Sequence, residues 1–544
     1  MKKAAFALLA LLLVMTACTR KAPSSGVAHP APLPVPEADP GWAYMDVGKK
    51  SESEQWVVAQ FRANGTYSEH NTEEYGRFEE SPFLRPADHP LSTFSIDVDR
   101  ASYSNVRRFL DVGQRPPRQA VRIEEMVNYF TYDYPDPAAE PFSINTELAA
   151  CPWNDRNKLL LVGLQGKRLR TRDLPPNNLV FLIDSSGSMQ SQDKLPLVKE
   201  GLRLLVNELR PDDRVAIVTY AGSAGLVLPS TSGANKGAIM SAIGRLEAGG
   251  STAGGEGIVL AYDVAKKSFF TGGNNRVILA TDGDFNVGVS SDGELERLIE
   301  RKRGDGVFLT VLGFGTGNIK DSKMELLADK GNGNYSYIDS LFEARKTLVH
   351  EMAGTLFTIA KDVKVQVEFN PARVGAYRLI GYENRALRSE DFNDDKKDAG
   401  ELGAGHSVTA LYEIIPPGGE IPAGSVDPLK YQKPVAAAAS DGAELATVKL
   451  RYKEPDGDTS KLLSRVVNDS LAVVMSDNYR LAASVAQLGM LLRDSPHKGD
   501  ASYESALELA RSVRAKDPAG YRADLLLMMA KAAGLPSPKV VAEQ

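Results

Sequence analysis

Asp184, Ser186 and Ser188 stand at alternate positions directly after five consecutive apolar residues, Leu179 to Ile183. Gly187 lets the backbone turn tightly enough for the three side-chain oxygens to converge. One carboxylate and two hydroxyls suit a hard divalent cation, which takes oxygen ligands. Two further stretches carry related chemistry. Gly249-Gly250-Ser251-Thr252 precedes a helical stretch, and Val277 to Thr281 forms a second apolar strand that runs into Asp282 and Gly283. Serine and aspartate after a strand also cap helices, so each string alone leaves both roles open.

In this order the three strings resemble the metal-ion-dependent adhesion site of a von Willebrand factor A domain, with Asp-x-Ser-x-Ser after the first strand, a threonine midway and an aspartate after the fourth strand. The resemblance implies that Asp184, Ser186, Ser188, Thr252 and Asp282 hold one cation. The serines would be neutral ligands, Asp184 and Asp282 would supply charge directly or through water, and Thr252 would join or leave the inner shell. Mg2+ is the expected ion, because it demands near-octahedral geometry and keeps waters; Mn2+ or Ca2+ are the alternatives. An open coordination position would accept a Glu or Asp from a protein partner.

The elements that must position these residues are legible as an alternation of strands and helices within 177–345. Strands are expected at Leu179–Asp184, Arg214–Tyr220, Leu226–Leu228, Val277–Asp282, Val307–Phe314 and Tyr335–Ile338. Between them fall helices at Leu195–Leu209, Lys236–Leu246, Glu256–Phe270, Gly293–Lys302 and Ser322–Asp329, with Leu341–Thr355 last. Such alternation predicts an α/β, doubly wound, mostly parallel (Rossmann-like) sheet. Ligands of these folds bind beyond the carboxyl ends of the strands, where Asp184 and Asp282 fall.

The flanks divide as follows. Residues 81–141 read as an α+β region, with a strand at Ser92–Asp97 and helices at Ser102–Leu110 and Arg122–Phe130. Asp97 and Asp99 are expected to cap the first of these helices rather than to bind metal. Strand signals at 142–170, and again at 356–460, are each too few for a good sheet, so one β-sandwich assembled from both is expected, with the A domain inserted between its strands. Residues 461–544 read as a C-terminal helical region, its tail from 467 to 535 carrying Leu481, Val485, Leu488 and Leu492 on one face. The string from Ser92 to Tyr103, continuing to Arg122-Ile-Glu-Glu-Met-Val-Asn-Tyr-Phe130, is similar to the N-terminal region of bacterial YfbK-like von Willebrand factor A domain lipoproteins, a resemblance that extends to the C-terminus.

Residues 1–18 read as an export signal: Lys2 and Lys3, the apolar stretch Ala4–Met15, then Thr16-Ala17-Cys18. The apolar stretch is too short to span a bilayer. A small residue before a cysteine resembles the bacterial lipobox, although Met15 departs from the usual Leu, Val or Ile. Cys18 would then be lipidated, and Thr19 after it implies the outer membrane in a Gram-negative source. Residues 19–80 are a Pro-rich tether and lead-in; some twenty residues at ~3.1 Å each give a spacer of about 60 Å. Cys151 is then the only remaining thiol, most simply a small buried hydrophobe.

Composition narrows the function. A net charge of −6 carries no basic excess, which argues against nucleic acid. Asp-Ser-Ser-Gly-Ser resembles the Asp-x-Asp-Gly of haloacid-dehalogenase phosphatases, yet Ser186 stands where their acid/base aspartate would be. Ser191-Gln-Asp-Lys194 and Ser476-Asp-Asn478 match two penicillin-binding motifs without a following Lys-Thr-Gly. The 6 histidines are scattered, which disfavours zinc. The acidic run Glu390–Asp398 lacks the alternating ligand spacing and glycine of a calcium loop and predicts a solvated turn. The expectation is a non-enzymatic envelope lipoprotein that binds a protein partner through Mg2+. The alternative is a structural envelope protein whose metal site is satisfied by an acid of its own chain and orients domains.

Overall fold

The computed structural model describes residues 72–169, 174–250, 254–283, 292–351, 357–397, 399–422, 442–455 and 457–536. Strand β1 (Leu91–Ser95) is followed by α1 (Ala101–Asp111), α2 (Ile123–Val127), β2 (Phe142–Ala150) and β3 (Lys158–Gly166). A central region then runs β4 (Asn177–Asp184), α3 (Leu195–Glu208), β5 (Arg214–Tyr220), β6 (Ala224–Ser232), α4 (Lys236–Gly244), α5 (Gly254–Lys267), β7 (Asn274–Thr281), α6 (Asp292–Gly304), β8 (Phe308–Phe314), α7 (Asp321–Lys330), β9 (Tyr335–Ile338) and α8 (Leu341–Arg345). After it come β10 (Thr358–Phe369), β11 (Ala376–Ile380), β12 (Ala386–Leu387), β13 (Gly400–Gly403), β14 (Ser407–Ile415), β15 (Glu444–Lys453) and β16 (Lys461–Asn468). Helices α9 (Asp477–Arg493), α10 (Tyr503–Arg511) and α11 (Tyr521–Ala533) follow.

The central sheet has the order β6-β5-β4-β7-β8-β9, parallel except for the edge strand β6. Every residue of β4 is buried. Its unbroken apolar run follows from helices on both faces of a parallel sheet. Because successive side chains alternate faces, Leu179, Phe181 and Ile183 pack with Leu195, Val198 and Leu202 of α3 and Ile239 of α4. Val180 and Leu182 pack instead with Ile258, Ala261 and Tyr262 of α5. The carboxyl edge of this sheet is therefore held by two apolar layers, a rigid base for the loops that leave it.

Strands from before and after the central region share one ladder. The four-stranded sheet runs β11-β14-β3-β2, with Leu160 of β3 opposite Tyr412 of β14. A second sheet, β12-β1-β10-β15-β16 with β13 beside β10, packs against it. Leu160, Val162 and Leu164 of β3 meet Val365 and Val367 of β10 and Leu450 of β15 in the shared core. The opposite face of β3, through Leu159 and Leu161, lies under Leu481, Val485 and Leu488 of α9, the helical layer expected at the C-terminus.

Three details depart from the sequence reading. β1 is a strand of the sandwich, paired with β10, rather than part of a separate N-terminal unit. β16 is an edge strand paired with β15, so the helical tail starts only at Asp477. Leu462, Leu463, Val466 and Val467 fit a helix face as readily as a strand, and a half-exposed edge strand leaves no stronger pattern. Asp97 and Asp99 do not cap α1, whose N-cap position is Arg100 with no side-chain cap. Asp99 instead accepts from Tyr335 N–H at 2.8 Å and from Arg385 at 3.2 Å, because burial makes the ion pair the better partner. In the acidic turn, Asp395 pairs with Arg451 at 3.0 Å and Asp391 with Arg388 at 3.0 Å; Asp398 lies outside the described residues.

Among the described residues no helix is long and apolar enough to cross a membrane. Cys18 and the whole export signal lie outside them. Cys151 is a buried free thiol, and burial first of all pushes its pKa up.

Candidate metal centre

Strand ends at the middle of the central sheet bring the oxygens together. β4 pairs in parallel with β7 up to Ile183 opposite Ala280, so Asp184 stands beside Thr281 with Asp282 next along. On the other side Asp184 is in register with Tyr220, the last residue of β5. Both oxygens of Asp184 are held. Oδ1 accepts from Ser186 N–H at 2.9 Å, and Oδ2 accepts from Tyr220 Oη at 3.1 Å and Thr281 Oγ1 at 3.4 Å.

The loop after β4 folds back over this edge. Ser186 and Ser188 hydroxyls lie 3.0 Å apart, either able to donate, and Ser188 is near enough to Asp282 to help lower its pKa. Asp184, Ser186, Ser188 and Asp282 thus stand together at this edge, with Asp184 and Asp282 fully buried. Thr252 lies outside the described residues. The segment leading to it is tied to the same loop, Gly249 N–H donating to Ser185 O at 2.8 Å and Gly187 N–H to Gly250 O at 3.1 Å. Gly283 turns at φ +104°, and a Cβ there would stand 2.6 Å from Asn318 O, so the chain after Asp282 needs glycine to pass that loop.

The two carboxylates sit in different fields. Burial, with the nearby Asp282 charge adding, raises the pKa of Asp184 against the hydrogen bonds of Ser186 and Tyr220. Burial pushes Asp282 up as well, but the hydrogen bond and charge of Lys194, with Ser188 and Asn318 helping, outweigh it and hold Asp282 below its usual range. Lys194 Nζ donates to Asp282 Oδ2 at 2.8 Å.

The donor set is all oxygen, two carboxylates and two hydroxyls, which fits a hard cation such as Mg2+ better than a thiophilic one. Among the described residues no group of three or more His, Cys, Asp or Glu is arranged to hold a metal ion, so a cation here would depend on the serine hydroxyls as well as the acids. Lys194, Tyr220, Thr281 and Asn318 were not among the expected site residues. Tyr220 and Thr281 left a signal, a polar residue ending a buried strand at the same sheet edge. Lys194 entered only as the end of a Ser-x-x-Lys string.

Comparison with known proteins follows the same division. Residues 178–351 match the family model described as von Willebrand factor type A domain, residues 69–161 the model described as von Willebrand factor, and residues 354–535 the model described as uncharacterized protein YfbK, C-terminal. The chain is 46% identical over 473 residues to YfbK of Escherichia coli strain K12, covering 85% of this chain and 82% of that one. It is 34% identical over 178 residues to the sll0103 protein of Synechocystis, covering 32% of this chain and 40% of that one. Among solved structures, a von Willebrand factor type A protein from Catenulispora acidiphila aligns over 74% of this chain and 98% of its own, at 17% identity and a TM-score of 0.38.

Proposed function

The chain belongs to the YfbK family of von Willebrand factor A domain proteins, and on that premise we propose that it is an exported, lipid-anchored envelope protein that grips a protein partner through a divalent cation. The cation ligands are Asp184, Ser186, Ser188, Thr252 and Asp282, and the anchor is Cys18. The outer membrane is the proposed location.

One observation carries the reading: the hydrogen-bonded Asp184, Ser186 and Ser188 stand together with Asp282 at the carboxyl edge of the sheet. A bound Mg2+ would supply Lewis acidity and a coordination position that a Glu or Asp of the partner completes. The chain's own residues do the rest. Tyr220 and Thr281 fix the Asp184 carboxylate from the sheet side. The serine hydroxyls, being neutral, leave positive charge uncompensated for an acidic partner to meet. The rigid β4 and β7 beneath them keep the ligands in place without the partner.

Calorimetric titration with Mg2+, followed by pull-down from envelope extract with and without EDTA, tests the proposal. Binding of Mg2+ and of a partner should both be lost in Asp184→Ala. A partner retained equally in EDTA and in Asp184→Ala would replace the reading with a structural role in which the site only orients domains.

A further inference from the structure

Beside Asp282 stands a cation that the adhesion-type ligand set does not include. Lys194, the residue before α3, is hydrogen-bonded to Asp282 and its side chain is only 11% exposed. Its stem crosses Gly315, which turns at φ +76°; a Cβ at that glycine would stand 2.3 Å from Lys194 Cε. The glycine thus leaves the groove that the lysine fills. We propose that Lys194 is the resident counter-charge of Asp282, which a divalent cation must displace to use that carboxylate, so that this lysine sets how much cation the site needs. The inference rests on the cluster being a cation site.

The physical argument is one of charge and valence. Asp282 is fully buried, and a buried carboxylate without a partner is costly. An ammonium satisfies it with hydrogen bonds and charge, but it has no acceptor atom to offer a metal ion. Two cations drawn to one carboxylate in a poorly solvated place repel each other. Lys194 therefore does in the cation-free chain what the cation does in the loaded one, and each opposes the other by the same factor. The flexible four-carbon stem lets the ammonium leave without moving the backbone. If Lys194 instead supported the cation by orienting Asp282 from outside, its removal would weaken cation binding, the opposite sign.

Mg2+ titration of the full folded chain and of Lys194→Met separates the two. Lys194→Met should bind Mg2+ about tenfold more tightly, the order expected when one nearby like charge is removed from a partly buried site. It should also melt at a lower temperature than the unmodified chain in EDTA, and recover in Mg2+. If Lys194→Met fails to fold in EDTA, amine labelling of the unmodified chain serves instead, and labelling of Lys194 should rise when Mg2+ is added. Equal or weaker Mg2+ affinity in Lys194→Met, or labelling that Mg2+ leaves unchanged, overturns the counter-charge role while leaving the cation site standing. If the unmodified chain, Lys194→Met and Asp184→Ala all fail to bind Mg2+, the cation site and the inference built on it fall together.

Discussion

The Arg122 guanidinium, just before α2, meets the Asp321 carboxylate at the start of α7 at 2.9 Å. The same guanidinium reaches Glu125 and Glu325, each at 2.9 Å. One cation from the N-terminal segment therefore holds acids of the central domain inside the protein. Arg385, after the central domain, does the same for Glu325 and Asp329, at 2.8 Å each.

Removing one partner from such a cluster leaves uncompensated buried charge. Arg122→Met is expected to destabilise the chain by about 3–5 kcal/mol, far more than a surface ion pair would. Urea unfolding measures it, and a loss below about 1 kcal/mol would mean that water reaches these acids.

The cluster also predicts a pH dependence. Burial, and then Glu125 and Glu325 against the opposing Arg122, pushes the Asp321 carboxyl up to about 7. A raised acid favours the folded state when protonated, so its contribution is present at low pH and is lost as pH rises through about 7. Half-buried His406, whose pKa is lowered by desolvation, works the other way as pH falls. Comparison with Asp321→Asn isolates the acid: between pH 8 and pH 6 the unmodified chain should gain melting temperature relative to the variant. A constant difference across that window would contradict the assignment.

Cation binding should stabilise the fold by mass action. At a hundred times the dissociation constant the gain is about 2.7 kcal/mol. Thermal melts in Mg2+ should shift upward for the unmodified chain, and Asp184→Ala, which also strips Tyr220 and Thr281 of their acceptor, should not shift. An equal shift in both proteins would place the cation elsewhere.

Gly163 in β3 lies under the Tyr134 ring, where a Cβ would be 2.3 Å from Cζ, and Tyr134 is tied to Thr409 by a 2.9 Å hydrogen bond. Gly163→Ala is expected to cost about 1–3 kcal/mol through overpacking. Gly237→Ala is the control: nothing lies within 4 Å of its Cβ position, and α4 should gain about 0.4–1 kcal/mol. Similar effects at both sites would show that Tyr134 gives way freely.

The amino-acid sequence by itself determined the alternation of the central domain and the chemistry of its loop. Five apolar residues ending on Asp184, and the strand ending at Thr281, are local patterns whose meaning depends only on periodicity and on the carboxyl ends of strands. The family resemblance supplied the grouping of the distant strings. Tertiary structure alone decided which strands join across the inserted domain, since β3 and β14 meet through a register that no short window encodes. It also decided that Asp99 serves Arg385 and Tyr335 rather than α1, and that Lys194 neutralises Asp282. Those partners are chosen by what burial leaves within reach of a charge that water no longer solvates, and that is a property of the packed chain.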